Sequence, residues 1–294
     1  MVSVTQDYKE AVLEDIASFK DIYHPVKSSF IERMTIKKLP MSQLHPNPDD
    51  EFSIPEIGPN YSIVNRYRKD MERSLQREDK LDLEPLMVEK ISTGGYMILN
   101  GHHRWMAAKW INIKEMPVQV VNVTHEEDII SAINRTDRNM CISFDLDEVI
   151  INHNEKYSND DPLPFPMNKN FPEQVKKHVG PLTNELHRLG FDIWIYSGSF
   201  RSENELRALL KQHGIEFDGI INNMKSKKNN TRISNAFSEK YKIILHADDD
   251  GILWVDPKTK EFDNIDLQPG KNWASQISTN IKRKLRADSK ETSE

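Results

Sequence analysis

The sequence contains a single cysteine, Cys141, among 294 residues, which excludes an internal disulfide and a zinc site built from several cysteines. Long apolar runs are also missing, so no membrane-spanning helix is predicted. Positive charge is not in excess, because 40 Lys and Arg residues are outnumbered by 46 Asp and Glu residues, for a net charge of -6. This balance argues against a basic coat for nucleic acid but leaves room for local basic patches.

The N-terminus lacks a secretory signal, since acidic residues interrupt its first apolar positions. With the lone thiol, this predicts a protein of the reducing cytoplasm. The composition, 37% hydrophobic and 29% charged, is typical of a soluble globular chain of one or two domains. Residues 5–22 have helical periodicity and predict an N-terminal arm, used either for packing or as an oligomer contact. The oligomeric state stays open.

The clearest chemistry lies in residues 141–150. Residues 142–144 predict a buried strand, and Asp145 and Asp147 follow it two residues apart. Residues i and i+2 fall on the same side of a strand, so both carboxylates are expected to point into one small volume. Mg²⁺ suits such a pair, because it takes carboxylate oxygens and keeps waters for a substrate phosphate. One aspartate would attack phosphorus and the other would transfer a proton. The plainer alternative is a strand followed by a polar turn.

Further polar residues follow later apolar runs in the chain. Residues 193–196 end in Ser197, lysines occupy positions 225, 227 and 228, and residues 243–245 lead through His246 into three aspartates at 248–250. The plainer explanations are a strand-end cap for Ser197, a solvated basic turn for the lysines, and a surface acidic loop for the aspartates. His246 is interpreted as a strand residue and not as a ligand.

The order strand–Asp-x-Asp-x-Val, strand–Ser, Lys, strand–Asp-Asp resembles the four motifs of the haloacid dehalogenase (HAD) superfamily, over residues 139–286. The resemblance implies a phosphatase with Asp145 as nucleophile and Asp147 as acid and base. Ser197 would donate a hydrogen bond to the phosphoryl group, and Lys225 or Lys228 would neutralise its charge. The implied Mg²⁺ ligands are Asp145, Asp147, Asp248 and Asp249.

Strands and helices alternate along the second half of the chain. A helix is predicted over residues 172–189, with Gly190 as its C-cap, and another over residues 202–213. This alternation predicts an α/β Rossmannoid parallel sheet with the motif residues at the carboxyl ends of its strands. Residues 151–172 are polar and proline-rich and are interpreted as a loop or small flap. They are too short for a large cap, so the crevice is expected to be open.

In the first half, a glycine turn opens a helix. Strands are predicted over residues 84–91 and 96–99 with a turn between them, and Asn-Gly-His-His-Arg at 100–104 then begins a helix. A helix N-terminus offers free N–H groups and positive potential, and Arg104 would add a bidentate phosphate contact. The plainer alternative is that Gly101 only makes the turn while His103 and Arg104 pair with carboxylates.

The block from Leu44-His-Pro-Asn-Pro48 through this turn to the strand at 117–123 resembles the ParB/sulfiredoxin fold, an α+β domain, over residues 33–123. The resemblance implies that Gly101, His103 and Arg104 hold the phosphates of ATP or another nucleotide. Sulfiredoxins have cysteine where this chain has His102, which argues against sulfinic-acid repair. In the free serine kinases of this family an acidic residue is the base, and here Glu51 or Asp50 would match it.

The domains predicted are an N-terminal helical arm at 1–32, a ParB/sulfiredoxin-like domain at 33–133, a HAD-like domain at 139–286 and a flexible tail at 287–294. The predicted function is Mg²⁺-dependent hydrolysis of a phosphorylated small molecule, a nucleotide or a nucleic-acid end, coupled to nucleotide binding. Two alternatives remain: a serine-like kinase fused to a phosphatase, and a nucleotide-sensing regulatory or DNA-associated protein.

Overall fold

The computed structural model describes residues 13–14, 17, 24–54, 56–78, 83–165, 167–198, 201–222, 227–268, 270 and 272–291. Most of the N-terminal helix predicted over 5–22 therefore lies outside the described residues. The chain divides into two compact units, Met1–Val123 and Thr124–Glu294. Among the described helices, none combines the length and the apolar character that crossing a bilayer requires.

The described part of the first unit is built on a mixed sheet of five strands with three helices. The strands are β1 (Lys37–Pro40), β2 (Leu44–Pro46), β3 (Leu86–Lys90), β4 (Tyr96–Asn100) and β5 (Glu115–Val120), and the helices are α1 (Phe30–Met34), α2 (Tyr61–Glu78) and α3 (His102–Trp110). The strand order is β1-β5-β3-β4-β2. β2 runs parallel to β4 and β3 parallel to β5, whereas β1–β5 and β3–β4 are antiparallel. Short 3₁₀ turns occupy Met41–Gln43 and Glu51–Ser53.

The predicted hairpin is confirmed as β3 and β4, which pair antiparallel on either side of a tight turn. Gly94 and Gly95 supply φ values of +88° and +106° in this turn, a conformation that L side chains rarely adopt. Beyond β4 the chain enters α3, whose Trp105 is 1% exposed at the centre of the core. The core of the first unit therefore lies against the N-terminal half of α3 and fixes the turn that precedes it.

The described part of the second unit is built on a six-stranded mixed sheet. The strands are β6 (Met140–Asp145), β7 (Phe191–Ser197), β8 (Gly219–Asn222), β9 (Ile243–Ala247), β10 (Gly251–Val255) and β11 (Phe262–Asp266). The helices are α4 (Glu126–Ile133), α5 (Met167–Asn170), α6 (Val179–Arg188), α7 (Glu203–Gln212), α8 (Lys227–Lys240) and α9 (Trp273–Glu291). The strand order is β11-β10-β9-β6-β7-β8. The strands β9, β6, β7 and β8 are mutually parallel, β10 pairs antiparallel with β9, and β11 pairs antiparallel with β10.

Helices cover both faces of the parallel strands. Because the side chains of a strand alternate between its faces, neighbouring residues of β6 pack against different helices. Ile142 and Phe144 pack with α6, α7 and α9, and Cys141 packs on the opposite face with α4 and α8. The Cys141 thiol is fully buried, and burial raises its pKa well above the ordinary value. The buried strand predicted over residues 142–144 is therefore confirmed.

The helix predicted over residues 172–189 is shorter than expected and begins only at Val179. Residues 174–177 pair instead with residues 150–160: Ile151 bridges Val175, and Asn159 bridges Lys176. The backbone bonds Lys176 N to Ile150 O and Asp160 N to Val175 O, both 2.8 Å, hold this pairing. Residues 150–177 are called the flap below, and its antiparallel pairing overrides the helical periodicity.

The C-terminal helix α9 continues to Glu291, beyond the boundary predicted at residue 286. Its apolar face packs into the core of the second unit through Trp273, Ile277 and Ile281. These residues recur at helical spacing, so the core packs along the first half of α9.

Candidate functional site

Asp145 is the last residue of β6 and the N-cap of one π-helical turn, Leu146–Ile150. Its Oδ1 accepts hydrogen bonds from the backbone N–H groups of Asp147 at 2.7 Å and Glu148 at 2.8 Å. Asp147 therefore lies on the turn and not on the strand, so the strand argument for two converging carboxylates does not apply. The turn places the two residues at the same edge of the sheet by a different route.

The Asp147 carboxylate faces the end of the neighbouring strand β7. Ser197 Oγ donates to Asp147 Oδ2 at 3.1 Å, and Arg201 Nη2 donates to Asp147 Oδ1 at 3.3 Å. Arg201 also binds Glu173 of the flap, with Nη1 2.8 Å from Oε1. Ser197 is fully buried. Asp147 is thus held between a hydroxyl from β7 and a guanidinium from the loop that follows.

An acidic cluster lies on the other side of the π-helical turn. Carboxylate oxygens of Glu148, Asp248 and Asp249 all lie within 4.8 Å of one another. The pKa of Glu148 is raised, first because its carboxyl group hydrogen-bonds that of Asp248, and then because the charges of Asp248 and Asp145 oppose its ionisation. Of the four predicted metal ligands, the structure brings Asp248 and Asp249 together and leaves Asp145 near them, whereas Asp147 faces Ser197 and Arg201.

The three aspartates at 248–250 form the hairpin turn between β9 and β10. Asp248 N donates to Gly251 O at 2.9 Å, and Asp250 O accepts from Leu267 N at 2.7 Å. His246 precedes them within β9, as predicted, and its Nδ1 lies 2.8 Å from Ser143 Oγ on β6. In a parallel sheet, residues that follow neighbouring strands meet at the same edge, which is called the strand-end rule below. Because β9 and β6 are parallel neighbours, this rule explains why the aspartates after β9 lie near Asp145 at the end of β6.

Lys176 of the flap is a buried cation at this edge that was not predicted from the sequence. The residue is 3% exposed, its Nζ donates to the Glu148 carbonyl oxygen at 2.6 Å, and it lies 3.9 Å from the centre of the Tyr157 ring. Burial lowers the pKa of this ammonium, and the charges of Asp249 and Asp248 oppose that shift. No motif in the sequence included this residue, which falls within the helix predicted over residues 172–189.

The lysines predicted for the phosphoryl group are not placed by the structure. Lys225 lies outside the described residues, and Lys228 falls in the first turn of α8, where the structure describes the backbone alone. Their predicted role stays a prediction. Arg201 and Glu148 were missed although both are close to motif residues, Arg201 four positions after Ser197 and Glu148 directly after Asp147. Their closeness in sequence to these motif residues was therefore the signal that could have identified Arg201 and Glu148.

The loop that carries Arg201 is tied to the end of β8 by a buried amide. Asn222 is 1% exposed, and its Nδ2 donates to the Arg201 carbonyl oxygen. Its Oδ1 accepts from both the N–H of Thr124 at 2.7 Å and the Thr124 hydroxyl at 2.6 Å. Since every polar atom of this amide is used, it fixes the backbone from which the Arg201 guanidinium reaches Asp147.

In the first unit, Gly101 makes the turn before α3 with φ of +102°. A Cβ at this position would lie 2.5 Å from Leu86 Cδ2 and 3.0 Å from the Arg104 guanidinium, so the turn has room only for glycine. His102 Nε2 accepts from Asn47 N at 3.1 Å, and His103 Nε2 accepts from Asn60 N at 3.0 Å. The two histidines thus hold two separate loops against the N-terminus of α3.

Arg104 is 5% exposed and pairs with Glu84, whose Oε2 lies 2.6 Å from its Nη1. This is the carboxylate pairing that the plainer sequence interpretation described for Arg104, whereas His103 is bonded to a backbone amide. Burial lowers the pKa of His103, and the charge of Asp50 opposes that shift. Glu51, the candidate base, is exposed at the start of its 3₁₀ turn, and Asp50 caps that turn by accepting from Phe52 N at 3.0 Å.

In the comparison with known families, residues 26–135 fit the model of the ParB N-terminal domain, just over a third of the chain. This match includes α4, which packs within the second unit against α8 and β8. No curated protein matches the chain. The HAD-type domain predicted over 139–286 therefore stays a prediction.

Several solved structures are similar at low scores. A C-terminally truncated chromosome-partitioning protein ParB from Caulobacter crescentus, complexed to the centromeric parS site, is 24% identical over 35% of this chain and 50% of its own, with a TM-score of 0.23. The same protein complexed with CTP-γ-S is 23% identical over 36% and 56%, with a TM-score of 0.24. A free serine kinase in complex with AMP is 11% identical over 82% and 94%, with a TM-score of 0.25.

These TM-scores are too low to support a conclusion about fold or function. The chain spans only about half the length of the two ParB chains that it matches. The family match stands on its own residues, and its range agrees with the block in which the sequence analysis recognised the resemblance. Residues 26–135 are therefore similar to a ParB N-terminal domain, and residues 26–123 of this match lie in the unit that is built on the five-stranded mixed sheet.

Proposed function

We propose that the second unit hydrolyses phosphomonoesters by HAD-type chemistry at the edge where β6, β7 and β9 end. The observation that carries the proposal is the hydrogen bond from Ser197, at the end of the neighbouring parallel strand β7, to Asp147. Asp145 and the acidic cluster lie at the same edge of the sheet. Three parallel strand ends thus bring together two aspartates, a hydroxyl donor and further carboxylate oxygens, the groups that the proposed reaction needs.

In the proposed reaction each residue has a separate role. Because Oδ1 of Asp145 is held by two N–H groups, its Oδ2 is the oxygen that bonds to phosphorus as the bond to the leaving oxygen breaks. Asp147, which enters this step protonated and regains that proton from water in the next step, gives its proton to the leaving oxygen. Water then attacks the phosphorus of the aspartyl-phosphate, Asp147 takes the water proton, and the Asp145 carboxylate is released with inorganic phosphate. Ser197 and Arg201 hold the Asp147 carboxylate in position.

The donor set fits the Mg²⁺ that the HAD family implies. Glu148, Asp248 and Asp249 offer only carboxylate oxygens, the ligands that a small hard cation prefers, and the hydrogen bond and then the charge of Asp248 raise the pKa of Glu148. These residues, with Asp145 nearby, would hold the ion. When bound, it would supply positive charge beside the transferring phosphoryl group.

The function is tested by phosphate release from p-nitrophenyl phosphate, nucleoside monophosphates, phosphoserine and oligonucleotides with 3′- or 5′-phosphates. Release from at least one of them is expected in the presence of Mg²⁺. The oligonucleotide arm tests whether the site accepts a nucleic-acid end, and the others test small phosphoesters. If the intact protein releases phosphate from none of these compounds, the phosphatase proposal fails.

Removal of divalent metal with a chelator should lower the hydrolysis rate at least about 100-fold, because the carboxylates then lack their counter-charge, and added Mg²⁺ should restore it. Asp248→Asn should raise the Mg²⁺ concentration for half-maximal rate at least roughly tenfold. Asp250→Asn is the matched control, since Asp250 belongs to the same turn but not to the cluster. Hydrolysis that survives the chelator, or equal effects of the two variants, would contradict the metal assignment.

We infer that the first unit binds nucleotide phosphates at the N-terminus of α3. The support is the family match, the glycine-only turn at Gly101, and the N–H groups and positive potential of the helix end. The Arg104 guanidinium already pairs with the exposed carboxylate of Glu84. A phosphate and Glu84 are therefore alternative partners of Arg104, and nucleotide binding would displace the carboxylate.

Glu84→Gln should therefore tighten nucleotide binding by roughly fivefold, since it removes the competing charge of a largely exposed ion pair. Arg104→Ala should weaken binding about ten- to a hundredfold, because a charged phosphate contact is lost. Calorimetric titration of ATP, ADP and CTP measures both effects. Glu115→Gln, an exposed glutamate on β5, controls for net charge. Wild-type protein that binds none of the three nucleotides would refute the site.

A kinase is the second candidate for the first unit, favoured by the position of its acidic loop. Asp50 lies 3.8 Å from His102 and acts electrostatically on His103, so the loop that carries Asp50 and Glu51 faces the α3 N-terminus. A carboxylate there could take the proton of a substrate hydroxyl. ATP consumption with serine by the wild type but not by Glu51→Gln would favour the kinase over a nucleotide sensor, and none by the wild type would exclude it.

A further inference from the structure

The buried lysine of the flap, Lys176, lies against two aromatic rings. Its Nζ is 3.9 Å from the centre of the Tyr157 ring and 5.7 Å from that of the Trp273 ring, and the two rings meet edge to face with their centres 6.5 Å apart. A lysine is rarely buried, because its ammonium group loses the hydration that it has in water. The aromatic faces offset part of this cost by cation–π attraction and fix the ammonium in place.

The lysine and its aromatic partner contact both of the turns that carry the acidic cluster. Lys176 Nζ donates to the Glu148 carbonyl oxygen at 2.6 Å, on the π-helical turn. The hydroxyl of Tyr157 lies 3.4 Å from the carbonyl oxygen of Asp249, in the turn between β9 and β10. The pair therefore braces the turn that carries Glu148 against the turn that carries Asp248 and Asp249.

The charge of Lys176 is opposite to that of the cluster. Carboxylate oxygens of Glu148, Asp248 and Asp249 lie within 4.8 Å of one another, so the three groups repel when they are ionised. Burial lowers the pKa of Lys176, whereas the charges of Asp249, Asp248 and Glu148 favour its charged form. A methionine would fill the space beside the rings without the cost of desolvating an ammonium group, so packing alone does not account for a lysine here.

We propose that Lys176 is the internal counter-charge of the acidic cluster, a positioning residue that holds the two turns together until a divalent cation binds. The inference rests on the Mg²⁺ site of the proposed function and concerns how that site is prepared for the metal. The lysine and the metal neutralise the same carboxylates, so each reduces the need for the other. In consequence, the lysine stabilises the metal-free protein and weakens the binding of the divalent cation.

Lys176→Met tests this through metal binding, which is measured without any hydrolysis. The variant keeps an unbranched side chain beside the rings but removes the charge. Titration of the metal-free protein with Mn²⁺, followed by the electron paramagnetic resonance signal of free Mn²⁺, should give a dissociation constant about tenfold lower than in the wild type, because a repelling unit charge is lost. Lys176→Arg should lie close to the wild type, since it keeps the charge. Lys177→Met is the matched control, because Lys177 is the next residue of the flap and is exposed.

Urea unfolding without metal and with Mg²⁺ in excess separates this role from a purely structural one. Without metal, Lys176→Met should have a lower midpoint than the wild type, because its carboxylates lack their counter-charge. Mg²⁺ should raise the midpoint of the variant more than that of the wild type, since an ion that binds more tightly stabilises the folded state more. A loss of packing alone would lower the midpoint equally with and without the ion.

The possible outcomes separate the proposals. Unchanged or weaker Mn²⁺ binding in Lys176→Met, or an equal gain in midpoint from Mg²⁺ in both proteins, would overturn the counter-charge and leave the metal site standing. If neither protein binds Mn²⁺, the metal assignment and the counter-charge both fail. Tighter Mn²⁺ binding in the variant of a protein that hydrolyses no phosphoester would support the counter-charge while the phosphatase proposal fails. If Lys176→Met does not fold, Lys176→Gln carries the same comparison, because it keeps a donor for the Glu148 carbonyl oxygen but no charge.

Discussion

Asp145→Asn is expected to abolish phosphomonoester hydrolysis, with kcat lowered at least about 1,000-fold, because the amide has no anionic oxygen to bond to phosphorus. The fold should survive, since an asparagine Oδ1 can accept the same two N–H bonds, from Asp147 and Glu148, that Oδ1 of the aspartate accepts. Phosphate release from p-nitrophenyl phosphate with Mg²⁺ measures the loss, and circular dichroism checks the fold.

The control for this variant is Asp263→Asn, which makes the same chemical change on the exposed edge strand β11. Asp263 pairs with Lys284 and takes no part in the proposed reaction. Its activity should match that of the wild type. A folded Asp145→Asn protein that keeps turning over substrate would remove Asp145 from the nucleophile role and, with it, the covalent mechanism.

Asp192→Ala is expected to destabilise the second unit by about 3 kcal/mol, because it removes the acceptor of a buried polar network. Asp192 is fully buried on β7 and accepts from Thr136 Oγ1 at 2.6 Å, Tyr241 OH at 2.9 Å and Arg138 Nη1 at 2.9 Å. The hydrogen bond to Asp192 raises the pKa of Arg138, and burial raises that of Tyr241. The alanine leaves these donors without their shared acceptor. The figure lies at the low end for a broken buried pair because Arg138 is partly exposed.

Urea unfolding followed by circular dichroism measures this effect as a lower midpoint. Asp192→Asn should lie between the wild type and the alanine variant, since the amide keeps one acceptor but no charge. Asp263→Ala serves as the surface control and should lower the midpoint much less, because Asp263, which pairs with Lys284, is largely exposed. An unchanged midpoint for Asp192→Ala would show that the network adds nothing to stability.

The local sequence pattern was enough to predict two kinds of element: those whose backbone partners lie nearby in the chain, and those that form a short apolar run. The β3–β4 hairpin followed from two apolar runs flanking Gly94 and Gly95, and the strand β6 from its short apolar run before Asp145. The flap was different. Val175 and Val179 repeat at helical spacing, yet Val175 pairs with Ile151, more than twenty residues earlier. No local period reveals such a pairing, because its bonds depend on distant backbone.

The site shows the same division. Motif order along the chain and the strand-end rule predicted that Asp147, Ser197 and Asp248 would meet at one edge of a parallel sheet. The partners of these residues did not follow from that rule. Arg201, Glu173 and Lys176 come from a loop and a flap whose positions depend on tertiary contacts, and Glu148 joins the acidic cluster only because the π-helical turn directs it there.

The sequence by itself determined the ParB-like block, predicted over residues 33–133 and matched by the family model over 26–135, and the candidate nucleophile at the end of a buried strand, because both depend on residue types at short, regular spacings. Only the tertiary structure decided that Arg104 pairs with Glu84, that Arg201 links Asp147 to the flap, and that Lys176 lies against Tyr157 and Trp273. The physical reason is that a side chain's partner is set by three-dimensional proximity, which spacing along the chain specifies only within a single helix, strand or turn.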